Sequence, residues 1–333
     1  MVKKDPWAPD QLKRIQAFGS SRGFDLGYIP DLKPEAVNRF HVLARPYYYE
    51  GTRALLGADR QQYIRQYLFA LDAPSDDRPY FNHFIRWRHL PELRRQLQGR
   101  MPAFLELGSL LMVTALVQVA ALAGVLIFLP LWPRRTALRG TTGRSRVMLY
   151  FFLLGTGFML LEMGFLQKLI LYLAHPIYSA AAVIAAFLVF AGMGSQLSQR
   201  WNRRASSAAR GAAFGLTAAG CLYLLWLDPW LALTQSWALA PRFAVATLTI
   251  APLALAMGHL FPMGLRRVSM AVPDLVPWSW AVNGFASVLA TASAPLLAMS
   301  IGFSKLILAA LACYLAAGVL FYLLPQRPVE RYP

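Results

Sequence analysis

The chain has 333 residues, 57% of them hydrophobic, with a mean hydropathy of +0.41 and a formal charge of +17. The apolar residues gather after Met101 in runs too long for a water-soluble core, so the composition excludes an ordinary soluble domain and makes lipid the solvent. No nucleic-acid partner is expected, because most of the positive excess sits in short arginine-rich loops suited to anionic lipid headgroups.

The start, Met1-Val2-Lys3-Lys4-Asp5-Pro6, is followed by no apolar stretch, and no cleavable signal peptide is expected. Residues 1–101 read as a small, mixed α/β, water-facing region. Phe24 to Pro30 has the pattern of a short strand closed by proline, and Arg60 to Leu71 places Tyr63, Ile64, Tyr67, Leu68 and Leu71 on one helical face. That is little core for a free domain, so the region should pack against membrane helices, a protein partner or an upstream domain. Residues 102–325 read as a transmembrane helical bundle and 326–333 as a short polar tail. Seven apolar segments, about 103–131, 148–172, 177–196, 211–227, 242–263, 276–299 and 303–324, can each cross a hydrocarbon layer of about 30 Å at 1.5 Å per residue. The predicted fold class is an all-α polytopic membrane protein, with about seven transmembrane helices following the mixed α/β region. Pro252 and Pro295 fall inside spans and predict kinks. Tryptophans near span ends, among them Trp132, Trp201, Trp226, Trp230, Trp237, Trp278 and Trp280, suit an interfacial belt.

Seven spans put alternate loops on opposite sides. One side receives Arg134, Arg135, Arg139, Arg144 and Arg146, then Arg200, Arg203, Arg204 and Arg210, then Arg266 and Arg267, then Arg327 and Arg331. The other side, apart from residues 1–101, has only Arg242 and Lys305. The positive-inside rule therefore expects the arginine-rich loops to be cytoplasmic, in a multi-pass protein of the cell membrane such as a bacterial inner membrane. Residues 1–101, with 17 Lys and Arg, then fall on the far side, a conflict that further helices upstream would resolve.

Among residues that could carry chemistry, Glu162 lies about fourteen residues, or roughly 21 Å, into the second span. A carboxylate there is a proton or cation site, a polar anchor to a partner helix, or a protonated group hydrogen-bonded inside the bundle. Lys168 is roughly 120° away around the same helix, which rules out an intrahelical pair, and its place near the span's end suits snorkelling. His259 and Asn283 each lie about seven residues, near 10 Å, from the 265–275 loop, and a hydrogen bond between their helices is expected, with a ligand site as the alternative. Small residues form two packing faces, Gly284, Ser287, Thr291 and Ala294 on one span and Ala182, Ala186 and Gly194 on another. Asp76-Asp77-Arg78 reads as a helix cap with an internal ion pair, or as a binding element. Cys221 and Cys313 sit in apolar runs and the five histidines are scattered, so no disulfide framework and no metal site are expected.

Several stretches form an ordered set. Asp76-Asp77-Arg78-Pro79-Tyr80-Phe81 precedes the first span. The second carries Gly155-Thr156-Gly157-Phe158-Met159-Leu160-Leu161-Glu162-Met163 and is followed by His175-Pro176-Ile177-Tyr178. Gly258-His259-Leu260-Phe261-Pro262-Met263-Gly264 and Trp280-Ala281-Val282-Asn283-Gly284-Phe285-Ala286-Ser287 come later. Together they resemble the C-terminal membrane part of spermidine-synthase-like proteins, in which an S-adenosylmethionine-type Rossmann domain is fused to transmembrane helices. In that resemblance residues 2–30 look like the tail of such a domain. The strand, Gly-rich turn and helix of a nucleotide site are missing, as is an acidic ribose-binding residue about twenty positions on. The resemblance therefore implies a membrane anchor, and a binding or conduction module for a polyamine-related molecule, with no catalytic residue and no cofactor in this chain. A transporter-like bundle with a midplane carboxylate and a structural subunit of a larger assembly are the alternatives.

Overall fold

The computed structural model describes the chain except for residues 1–5, 30–31, 41, 81–83, 90, 93–94, 96–106, 201–204 and 327–333. The leading Met1 to Asp5, Pro30, Phe81, Trp201, Arg203, Arg204, Arg327 and Arg331 thus lie outside the described residues. The chain divides into two compact units, one of residues 1–73 and 82–105, the other of residues 74–81 and 106–333.

The first unit holds three short helices, α1 (Pro9–Arg22), α2 (Tyr47–Leu56) and α3 (Arg60–Gln66). No strand forms among its described residues, which corrects the expectation of a mixed α/β region; only an isolated bridge joins Phe69 and Ile85. The reason is local. Phe24 to Ile29 has no neighbouring extended segment to take its backbone hydrogen bonds, and it contains Gly27, which weakens a strand. Asp25 instead accepts hydrogen bonds from the backbone N–H of Arg39 (2.7 Å) and Phe40 (3.1 Å), which ties an irregular loop together. Helix α3 ends one residue before Tyr67, so of the expected apolar face only Tyr63 and Ile64 are helical. Its buried hydrophobic residues are Ile29, Val37, Ile64 and Ile85, the thin core expected from the sequence.

The second unit contains seven helices long and apolar enough to cross a membrane. They are α4 (Leu107–Phe128), α6 (Arg144–Leu173), α7 (Pro176–Ser198), α8 (Ala205–Thr234), α9 (Leu239–Ala271), α10 (Val276–Ile301) and α11 (Phe303–Leu323), with a short α5 (Arg135–Arg139) after α4. Helix α6 is the hub: it packs on α10 and α11 and touches α7 and α9, and its Tyr150, Phe151, Leu161 and Phe165 are almost wholly buried. Helix α4 is apolar all round and rests on α10. Pro252, Pro262 and Pro295 all lie inside helices that continue past them.

Between lipid-solvated helices the hydrophobic effect gives little net attraction, so close packing and hydrogen bonds must hold the bundle. Helices α7 and α9 meet backbone to backbone: a Cβ added at Gly194 would meet the carbonyl of Leu255, and one at Gly258 would meet the carbonyl of Ala191. Hydroxyl groups bridge helices elsewhere. Tyr150 donates to the carbonyl of Leu260 at 2.5 Å, Tyr223 to that of Thr249 at 2.7 Å, and Ser179 to that of Leu166 at 2.7 Å. At the arginine-rich end, Arg267 of α9 donates to the carbonyls of Tyr322 (3.2 Å) and Leu324 (3.1 Å), satisfying acceptors that the end of α11 leaves open.

Candidate functional site

One group of polar residues of the second unit gathers at the end of the bundle away from the arginine-rich loops. Lys168, near the end of α6, makes an ion pair with Asp228 of α8 at 2.9 Å. The pair is lopsided, since the Lys168 side chain is 10% exposed and that of Asp228 68%. Beside it the Tyr172 hydroxyl meets Thr234 Oγ1 at 2.8 Å, and the Arg242 guanidinium lies 5.1 Å from the centre of the Tyr172 ring. Arg242 Nε is shielded and has no hydrogen-bond partner among the described residues. Lys168, Tyr172 and Asp228 border a cavity of about 220 Å³ that is also lined by Asp76 and Gln235 and by the apolar Leu171, Leu231 and Ala232. It holds two carboxylates and one amine, beside an aromatic face and an amide.

The loop that delivers Asp76 is anchored by its neighbour. Asp77 Oδ1 accepts hydrogen bonds from Ser304 N (2.7 Å) and Ser304 Oγ (2.6 Å), while the Asp77 carbonyl accepts from Phe303 N at 3.0 Å. Asp77 therefore caps α11, where a carboxylate also answers the positive end of the helix dipole. Gly302 makes room for it: its φ is +89°, and a Cβ there would meet Asp77 Oδ2. Asp77 thus caps a helix more than two hundred positions away. Arg78 closes the loop as a turn, its N–H donating to the Ser75 carbonyl at 2.8 Å. Tyr80 packs edge-on against Phe303, and burial pushes its phenol above the ordinary value.

No protein family, curated protein or solved structure matches this chain.

Of the other sequence candidates, Glu162 is 8% exposed and has no hydrogen bond or ion pair among the described residues. It lies roughly 17 Å along the helix from the Leu173 end of α6. Lys168 is not its partner, as expected from their angular separation. His259 and Asn283 do not meet: His259 Nδ1 is 2.8 Å from the Leu255 carbonyl of its own helix, and Asn283 Nδ2 donates to the Phe151 carbonyl of α6 at 3.1 Å. That bond spans helices, as foreseen for Asn283, but joins α10 to α6. Gly155 makes it possible, because a Cβ there would meet the Asn283 carbonyl. His175 and Tyr178 belong to a helix start. His175 is the N-cap of α7, its Nδ1 accepting from Ile177 N at 3.2 Å, and Pro176 fills the first helical position. The Tyr178 ring lies 5.1 Å from that of His175. Pro262 sits inside α9. Sequence reasoning missed Tyr172, Gln235 and Asp228, the last of which left a signal as a lone acid near the end of an apolar run that also carries Trp226 and Trp230.

Proposed function

We propose that this chain is the membrane-embedded part of a spermidine-synthase-like protein, serving as an anchor and as a binding site for a polyamine, without catalysis of its own. The observation that supports the reading is the pocket formed by Asp76, Asp228, Tyr172 and Gln235. A polyamine carries ammonium groups separated by short methylene stems. Carboxylates answer the ammonium groups with charge-assisted hydrogen bonds, and an aromatic face with apolar walls suits the stems. Lys168 pairs with Asp228 at 2.9 Å, and an incoming ammonium would compete for the same carboxylate. In the positive-inside orientation the arginine-rich loops are cytoplasmic and the pocket opens on the far side.

A ligand that binds only the folded state raises its melting temperature by mass action. In mild detergent, spermidine should raise the melting temperature of the protein in a concentration-dependent way, and sodium chloride at matched ionic strength should not. Asp76→Asn should remove most of the rise. An absent rise, or an equal one in Asp76→Asn, would overturn the reading.

A second reading, a proton- or cation-coupled transporter, draws on Glu162, which is buried near the middle of α6 without a partner among the described residues. Coupled uptake into proteoliposomes, abolished in Glu162→Gln while the protein still folds, would favour it over the anchor.

A further inference from the structure

A second cavity, of about 340 Å³, lies in the half of the bundle nearer the arginine-rich loops and shares no residue with the polyamine pocket. Its origin is in the helix packing. Helix α9 packs closely on α7 but only lightly on α10, although α9 and α10 are joined by a short turn, so a cleft opens between them with α6 as its floor. Aromatic rings wall it: Phe158 from α6, Phe261 from α9, Trp280 from α10 and Tyr314 from α11. Trp280, 56% exposed with its ring 4.7 Å from that of Phe261, stands at the accessible side.

The polar groups in this wall are neutral and underused. Tyr314 is 2% exposed as a residue, and its hydroxyl, with no hydrogen-bond partner among the described residues, is left available to the cavity that the residue lines. Asn283 spends one amide N–H on Phe151 and keeps the other, along with Oδ1. The Ser195 hydroxyl on α7 also has no partner among the described residues. An acceptor is present as well: Pro262 has no N–H to offer the carbonyl of Gly258 one turn back, and both residues border the cavity. Among the described residues, no charged side chain lines the space.

We propose that this cleft binds an uncharged, ring-headed lipid of the quinone type. Donors from Tyr314, Asn283 and Ser195 suit ring carbonyl oxygens, the Gly258 carbonyl, which Pro262 cannot serve, suits the hydroxyl of the reduced form, and the aromatic walls suit stacking on a planar ring. The depth argues the same way. Asn283 is roughly 10 Å along α10 from Val276, below the headgroup level, where a charged phosphate would find no counter-ion and an acyl chain would leave the donors unsatisfied.

The test uses the full chain in lipid nanodiscs, with a decyl-substituted benzoquinone as the probe and decylbenzene as its oxygen-free counterpart. The quinone should raise the melting temperature saturably and decylbenzene should not. Tyr314→Phe removes one oxygen and should weaken quinone binding about tenfold; Ser195→Ala, on a less buried residue, serves if the Tyr314 variant does not fold. Equal stabilisation by decylbenzene, no saturable effect of the quinone, or unchanged affinity in whichever variant folds would overturn the proposal. Because the probe and the residues differ from those of the spermidine test, either result can fail alone.

Discussion

Lys168 and Asp228 form one ion pair in two different environments, and mutating each side should therefore cost differently. Asp228→Ala strands an ammonium whose side chain is only 10% exposed, whereas Lys168→Met strands a carboxylate that is 68% exposed and can be solvated. The expected loss is about 1–3 kcal/mol for Asp228→Ala and less than about 1 kcal/mol for Lys168→Met, read from chemical or thermal unfolding in detergent. Equal losses would mean that the pair is not asymmetrically buried. The sequence placed Lys168 at the end of its span, but its partner is sixty positions away on another helix. Periodicity within one helix carries no information about that meeting. Glu162 was legible because a carboxylate in the middle of an apolar run costs several kcal/mol and so stands out in any reading. If its role is structural, Glu162→Gln keeps the hydrogen-bonding capacity and should melt within a few degrees of the parent, while Glu162→Leu also fills the site without a polar atom. A Glu162→Leu protein more stable than the parent, by differential scanning fluorimetry, would show that the carboxylate is kept for something other than stability.

At the scale of the helix, backbone contact rather than hydrophobicity decides who packs on whom. Gly194 and Gly258 bring α7 and α9 together so closely that any side chain meets a carbonyl on the opposite helix, while Gly284 has nothing within 4 Å of an added Cβ. Gly258→Val should therefore destabilise by at least about 1–3 kcal/mol or prevent assembly, and Gly284→Ala should be neutral, as judged by monodispersity and melting temperature in the same detergent. A tolerated Gly258→Val would contradict the crossing. Hydropathy read the seven spans, the middle five with limits shorter than their helices and the first and last with limits longer. The apolar run ended at Met263, yet the helix runs to Ala271, because Arg266 and Arg267 interrupt an apolar run without interrupting a helix. The small face through Ala182, Ala186 and Gly194 was legible too, and all three are buried. The face through Gly284 and Thr291 was less so: the first is unopposed and the second exposed, because small residues permit close approach without requiring it. The strand read into Phe24 to Pro30 failed for a related reason. Alternation describes a side chain's preference, but a strand exists only where a second backbone is present to pair with it.

For the whole molecule, the arrangement of charge predicts sidedness and the arrangement of polar side chains predicts what is bound. Arginines crowd one end of the bundle, and single cysteines placed in the 133–146 loop should be protected from an impermeant thiol reagent in intact cells, with ready labelling as the contrary result. The resemblance to spermidine-synthase-like proteins came from short motifs, and the structure gives several of them mechanical roles: Asp77 caps α11, His175 starts α7, and Gly155 admits Asn283. Those roles would suit many bundles, so the functional weight falls on Asp76 and its pocket. The most direct measurement is equilibrium dialysis of labelled spermidine against the purified full chain in nanodiscs. The account predicts one saturable site per chain, weakened at least about tenfold in Asp76→Asn and unchanged in Gly284→Ala, since the loss of a charge-assisted hydrogen bond costs about 1.5–3 kcal/mol. Non-saturable uptake, or a site indifferent to Asp76, would contradict it.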